Sequence, residues 1–160
     1  MINAKDLQQA AFQMALAANA FEGSGGGSGM APAFLLGDHF TGTINQLFTG
    51  IGFPNAVDIT NSAMAFQLSR ASQVLLWSQV DFANNAGNTD YVYAYLDVDG
   101  VQAGHHVFVG TAFLAVCQTI VAHVTCGPGT HTVKLRAYVG AAGNTGILYG
   151  ADVFAAQLGF

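Results

Sequence analysis

The stretch Ser72-Gln-Val-Leu-Leu-Trp-Ser-Gln-Val-Asp-Phe82 decides how this chain folds. Val74, Leu76, Val80 and Phe82 alternate with Gln73, Leu75, Trp77, Gln79 and Asp81, the two-residue period of a strand with one face in a core. The device repeats twice. From Tyr91 to Val98, Val92, Ala94, Leu96 and Val98 point inward, with Tyr91, Tyr93, Tyr95 and Asp97 outward. From Thr132 to Val139, Val133, Leu135, Ala137 and Val139 point inward, with Lys134, Arg136 and Tyr138 outward. Further strands are expected at about 57–60, 63–69, 106–116, 118–125 and 147–158.

Turn chemistry separates these runs: Asn84-Asn85-Ala86-Gly87-Asn88, Asp97-Val98-Asp99-Gly100, Cys126-Gly127-Pro128-Gly129 and Gly140-Ala141-Ala142-Gly143-Asn144. No helical pattern follows residue 30. Seven or eight strands with such turns make the expected fold all-β, an antiparallel jelly-roll or Greek-key β-sandwich over residues 31–160.

The chain ahead of it reads differently. Residues 3–21 read as a helix, capped by Asn3 with Asp6 in the first turn. Ala4, Leu7, Ala11, Met14, Ala18 and Phe21 alternate spacings of three and four, a short a/d seam. Such a helix is marginal alone in water and needs a surface to pack on, so residues 1–22 are expected to be an anchor or oligomer seam. The glycine- and serine-rich run at 23–30 reads as a flexible linker.

Composition bounds the function. Hydrophobic residues make up 52% of the chain and charged residues 8%, against about 25% charged in an ordinary soluble domain. So few charges do not cover an isolated body of this size, and the expected remedy is burial against other copies or a larger particle. Only four basic residues oppose nine acidic ones, so no cluster can neutralise a run of phosphates and nucleic acid is not an expected partner. The charge-free run Val107–Val124 is long enough to suggest a membrane span. Gly110, Gln118, Thr119 and His123 interrupt it, and its β-branched residues suit strands better. Ala18-Asn19-Ala20 mimics a secretion cleavage site, but Asp6, Gln8, Gln9 and Gln13 spoil the flanking pattern.

Residues able to do chemistry are scattered. Asp97-Val98-Asp99-Gly100 resembles the start of a calcium loop, but no acidic closing ligand follows, and an Asp-Gly hairpin is the expected structure. His105 and His106 are adjacent on a strand and point to opposite faces, so they cannot chelate one ion together. Cys117 and Cys126 lie on one apparent strand, about 30 Å apart if it stays extended, and are expected to be free, buried thiols. Neither sits in a nucleophile motif, Glu22 is the only glutamate, and the glycine run lacks the Lys-Ser/Thr of a phosphate loop. No catalysis, metal or cofactor is expected.

The outward aromatics carry the stronger signal. Trp77, Tyr91, Tyr93, Tyr95 and Tyr138 are expected to form a flat, partly apolar face of the kind found between subunits. A carbohydrate-stacking platform and a covering layer from the same chain are the alternatives. Asn84, Asn85, Asn88 and Asn144 mark loops where a ligand could be recognised.

The strand from Ser72 to Val80, the turn Leu96-Asp-Val-Asp-Gly100 and the run Gly127-Pro-Gly-Thr-His-Thr-Val-Lys-Leu135, followed by a final apolar strand, carry a resemblance. Together they resemble the trimeric jelly-roll modules of bacteriophage virions, similar in outline to tumour-necrosis-factor-like domains and found in head decoration proteins, head fibres and tail-fibre tips. The resemblance implies a homotrimer on the virion surface, bound through its N-terminal segment to the major capsid protein or another virion protein. A long shaft is missing, which favours a decoration protein over a receptor- or glycan-binding fibre tip. A secreted, cytokine-like trimer is a third reading, with a cell-surface glycan as a possible ligand of the second.

Overall fold

The computed structural model describes residues 34–85, 91–110 and 115–158, with side chains from residue 45 onward. The N-terminal seam residues Leu7, Ala11, Met14, Ala18 and Phe21, the linker and Asn88 lie outside the described residues.

Nine strands are described: β1 (Phe34–Phe48), β2 (Val57–Asp58), β3 (Met64–Leu68), β4 (Ser72–Asn84), β5 (Val92–Val98), β6 (Val101–Val109), β7 (Ala115–Cys126), β8 (Gly129–Val139) and β9 (Gly146–Leu158). They form two sheets, ordered β1-β9-β4-β7 and β2-β8-β5-β6, with β3 also paired to β8. Every ladder is antiparallel, and the pairs nest: β1 with β9, β2 and β3 with β8, β4 with β7, β5 with β6. A single long hairpin rolled around itself gives this nesting, and that is the jelly-roll order of a β-sandwich.

The expected inward faces meet in the core. Val74, Leu76, Val80, Phe82, Val92, Ala94, Leu96, Val133, Leu135, Ala137 and Val139 are all 0% exposed, joined by Leu148 and Val153 of β9 and Ile120 of β7. Among the described residues no helix is long and apolar enough to cross a membrane. The run at 107–124 that mimicked a span contributes instead to β6 and β7.

Three expectations need correction. The strand β1 is missing from the sequence reading because its ladder with β9 shifts register three times, so no clean alternation marks it. The strand β6 starts at Val101, not near residue 106. Asp99 and Gly100 alone make the turn, at φ 53° and 88°, the two left-handed positions of a type I′ hairpin. Gly104, at φ 72°, then interrupts the alternation that the sequence would have shown. Finally, Cys117 is exposed and only Cys126 is buried, because β7 turns odd-numbered residues outward until Cys126 enters the core. Both are free thiols.

Gly104 is required by its surroundings as well as its backbone. A Cβ there would lie 2.8 Å from the Ala122 Cβ and 3.1 Å from the Val121 carbonyl oxygen, where β6 passes β7. Gly104→Val is therefore expected to cost about 1–3 kcal/mol of stability, read as a lower midpoint in chemical denaturation.

One ion pair fastens two turns together. His131 Nδ1 meets Asp99 Oδ2 at 2.6 Å and His131 Nε2 meets the Gly127 carbonyl at 2.9 Å, while the Thr132 N–H donates to Asp99 Oδ1 at 2.8 Å. Acceptors on both ring nitrogens favour the imidazolium, so the bond to Asp99 raises the His131 pKa above its usual 6.5. The Thr132 N–H, then His131, holds Asp99 below its usual 3.8. The Asp99 contribution is complete above that ordinary carboxylate value and is lost as pH falls through the lowered one. The His131 contribution is complete below about pH 6.5 and is lost as pH rises through the raised pKa. Stability from this pair thus peaks between about pH 4 and 6.5. Asp99→Asn is expected to lower the unfolding midpoint within that window and to flatten its fall on either side, in a thermal melt series over pH.

Candidate functional site

The outward face of the β8-β5-β6 sheet is built of rings. Tyr93 sits opposite Tyr138 of β8 and Phe108 of β6, so the two-residue period of three adjacent strands sets aromatic side chains in one row. Tyr93 and Tyr138 stack at 4.7 Å and 9°, and Tyr91 meets Phe108 edge-on at 5.2 Å and 86°. His106, two residues before Phe108, stacks on Tyr95 at 4.9 Å, and its Nδ1 lies 2.8 Å from the Tyr138 hydroxyl.

The chain itself covers one end of this face. After β1, residues 50–56 run past β8: the Val139 N–H donates to the Gly50 carbonyl at 2.8 Å, and the Gly52 N–H donates to the Val139 carbonyl at 2.9 Å. A short 3₁₀ turn, Phe53–Asn55, with Pro54 in its first turn, then swings outward over the sheet. It lays the Phe53 ring 5.2 Å from Tyr95 and 5.4 Å from His106. Salt links fix the return of this strap. Lys134 Nζ and Arg136 Nε reach the Asp58 carboxylate at 2.7 and 2.9 Å, and Arg136 Nη2 donates to the Ala56 carbonyl at 2.5 Å.

The outcome divides the face. Tyr95 and Tyr138 are buried with Ala56 under the strap, and Asp97 is buried beside Arg136. Burial pushes the Tyr95 and Tyr138 phenols above their usual pKa, Arg136 opposing the rise at Tyr95. At the other end Tyr91 is 44% exposed and Phe108 51%, with Phe53 at 42% on the strap.

The five aromatics expected on one surface are thus sorted. Tyr91, Tyr93, Tyr95 and Tyr138 come together. Trp77 does not, because β4 belongs to the other sheet, where Trp77 is flanked by Phe154 and Val121. Tyr95 and Tyr138 are not open surface, because the strap covers them. Sequence reasoning missed Phe53, His106 and Phe108. The alternation of His106 and Phe108 was legible once β6 was started at the Asp-Gly turn, whereas nothing in Phe53-Pro54-Asn55 announces that it folds over a distant strand.

The loop asparagines behave differently from expectation as well. Asn84 and Asn144 are buried at 0% and 2% exposure, where β4 ends and the loop before β9 packs back, and only Asn85 is exposed among the described positions. The Asn85 N–H donates to the Thr145 carbonyl at 2.7 Å, tying the two loops together. Among the described residues no three His, Cys, Asp or Glu side chains gather closely enough to hold a metal ion. The Asp97 and Asp99 carboxylates are committed to the hairpin: Asp97 accepts from the Gly100 N–H at 2.9 Å, and Asp99 binds His131.

Fold and face together define a jelly-roll β-sandwich with an aromatic outer sheet, open at one end. No protein-family model matches the chain, and no curated protein matches it in sequence. Among solved structures it is similar to the sugar-binding C-terminal domain of EclA, at 16% identity and a TM-score of 0.44, over 70% of this chain and 79% of that one. It is similar to the globular domain of zebrafish complement 1qA at 12% and 0.46, over 79% and 95%. It is also similar to infectious bursal disease virus VP2, from a subviral particle, at 10% and 0.48, over 82% of this chain and 34% of that one. At such identities and scores these likenesses carry no function across.

Proposed function

We propose that the chain is a structural module of a virion surface, a decoration protein that joins copies of itself through the aromatic end of the β8-β5-β6 sheet. The observation that carries this reading is the contact between Tyr91 and Phe108, two rings packed on each other yet about half exposed, at the open end of a cluster whose Tyr95 and Tyr138 are buried by its own chain. Large aromatics left bare at the edge of a packed cluster are the anchors that subunit contacts use. Low charge points the same way, since only 8% of residues carry a charge that would keep the surface in water.

In this reading the assembly is a homotrimer, residues 1–22 dock on a particle lattice, and the 23–30 linker absorbs the mismatch between them. Receptor or glycan binding finds less support. A sugar ring stacks best on coplanar exposed rings, whereas the exposed pair stands at 86° and the coplanar pair, Tyr93 and Tyr138, is stacked on itself.

Deleting residues 1–22 tests the reading. Particle binding in a co-sedimentation assay should be lost while the mass of the free protein in solution stays that of the full assembly. A truncated protein that keeps its particle affinity would remove the anchor from the account, and one that falls to single copies would move the assembly contact out of the sandwich.

A further inference from the structure

His106 is the imidazole set inside the aromatic cluster that the proposed contact uses. Phe53 of the strap covers one side at 5.4 Å and Tyr95 of β5 stacks on it at 4.9 Å, while Tyr138 of β8 stands edge-on at 5.4 Å and Tyr93 at 6.3 Å. Its Nδ1 has the Tyr138 hydroxyl at 2.8 Å, and its buried Nε2 has no hydrogen-bond partner.

Counting protons decides the resting form. A neutral ring that accepts the Tyr138 O–H at Nδ1 leaves one buried N–H without an acceptor; the other tautomer leaves both Nε2 and the phenol proton unmatched. An imidazolium must turn both its N–H groups on this pocket, where Nδ1–H displaces the phenol proton from its only acceptor and Nε2–H meets none. The ring faces of Phe53 and Tyr95 attract a cation, but no free carboxylate answers it. Asp58 is held by Lys134 and Arg136, and Asp97 lies 3.7 Å from Arg136. The other charged form nearby is that of His105, which repels it.

We propose that the aromatic face is an acid-released contact, in which proton uptake at His106 Nδ1 drives the ring away from Phe53 and Tyr95, loosens the strap and separates the copies joined there. The separation step rests on the reading of this face as the subunit contact; the loosening of the strap does not. Burial, with His105, holds the His106 pKa below its usual 6.5, so the ring is neutral at pH 7 and charges only in acid. The sign follows: the contribution of the neutral ring is complete above about pH 6.5 and is lost as pH falls through the lowered value. His131 works in the opposite sense, since its raised pKa keeps its ion pair intact over the same fall.

The test follows two readouts from pH 7 to pH 4.5 in the full-length protein, in wild type and in His106→Phe. Sedimentation reports mass, and carbon-edited NMR of the His106 ring and of Phe53 reports protonation and strap contact. In wild type the Phe53–His106 contact should vanish as His106 titrates, and the association constant should fall about tenfold or more. In His106→Phe the ratio between the two pH values should change less than twofold. Contact loss with constant mass would overturn the separation step by way of the assembly reading. A titrated His106 with Phe53 still in place, or an equal acid response in both proteins, would overturn the release itself. Should His106→Phe fail to fold, the wild-type NMR titration alone still decides whether the strap opens with His106.

Discussion

Tyr93→Asp is expected to break the assembled protein into single copies. Tyr93 lies between the buried and open halves of the cluster, stacked on Tyr138 and 6.0 Å from Phe108. A carboxylate there would need water on a surface that the account places between subunits, and a charge buried without a partner is among the costliest changes at an interface. Losing one central aromatic anchor typically costs about 2–4 kcal/mol of association, roughly thirtyfold to a thousandfold in the constant. Because Tyr93 also packs within its own sheet, Phe108→Asp is the cleaner companion: Phe108 is 51% exposed and lies at the open end, so the fold should tolerate it while association falls by a similar factor. Sedimentation of both variants checks this, with a thermal melt to show that the sandwich is intact.

The second large effect belongs to the core. Phe82 is fully buried near the end of β4, opposite Val116 of β7 and Leu148 of β9, on an inner strand of the four-stranded sheet. Phe82→Ala is expected to cost about 3–5 kcal/mol, the lost transfer of the ring plus the cavity it leaves. For a domain of this size that is a fall of roughly 10–25 °C in the melting midpoint. Calorimetry at neutral pH checks it. A fall of only a few degrees would mean that the two sheets close over the gap.

How far these results were legible follows from where local chemistry decides structure. The alternation in β4, β5 and β8 is unbroken, so the core residues and the inward faces could be read one by one. The Asp-Gly turn set the β5–β6 hairpin, because left-handed φ values at two successive positions favour few residue types. Bulges defeated the reading elsewhere: β1 changes register against β9, and Gly104 breaks β6, so neither shows a steady period. The site was half legible for a different reason. Pattern places Tyr91, Tyr93, Tyr95 and Tyr138 on outward faces, but it does not say which sheet a strand joins, and Trp77 went to the other one. Nor does it say that residues 50–56 will fold across β8 and bury Tyr95, since that contact is set by backbone bonds from Gly50 and Gly52 to Val139, far apart in sequence.

The central physical claim is that the bare rings of the β8-β5-β6 sheet are covered by other copies of the chain. Sedimentation equilibrium of the full-length wild-type protein at neutral pH, over a hundredfold range of concentration, tests it most directly. The account predicts a single species of three times the chain mass that persists on dilution; a well-dispersed monomer at the highest concentration would contradict it.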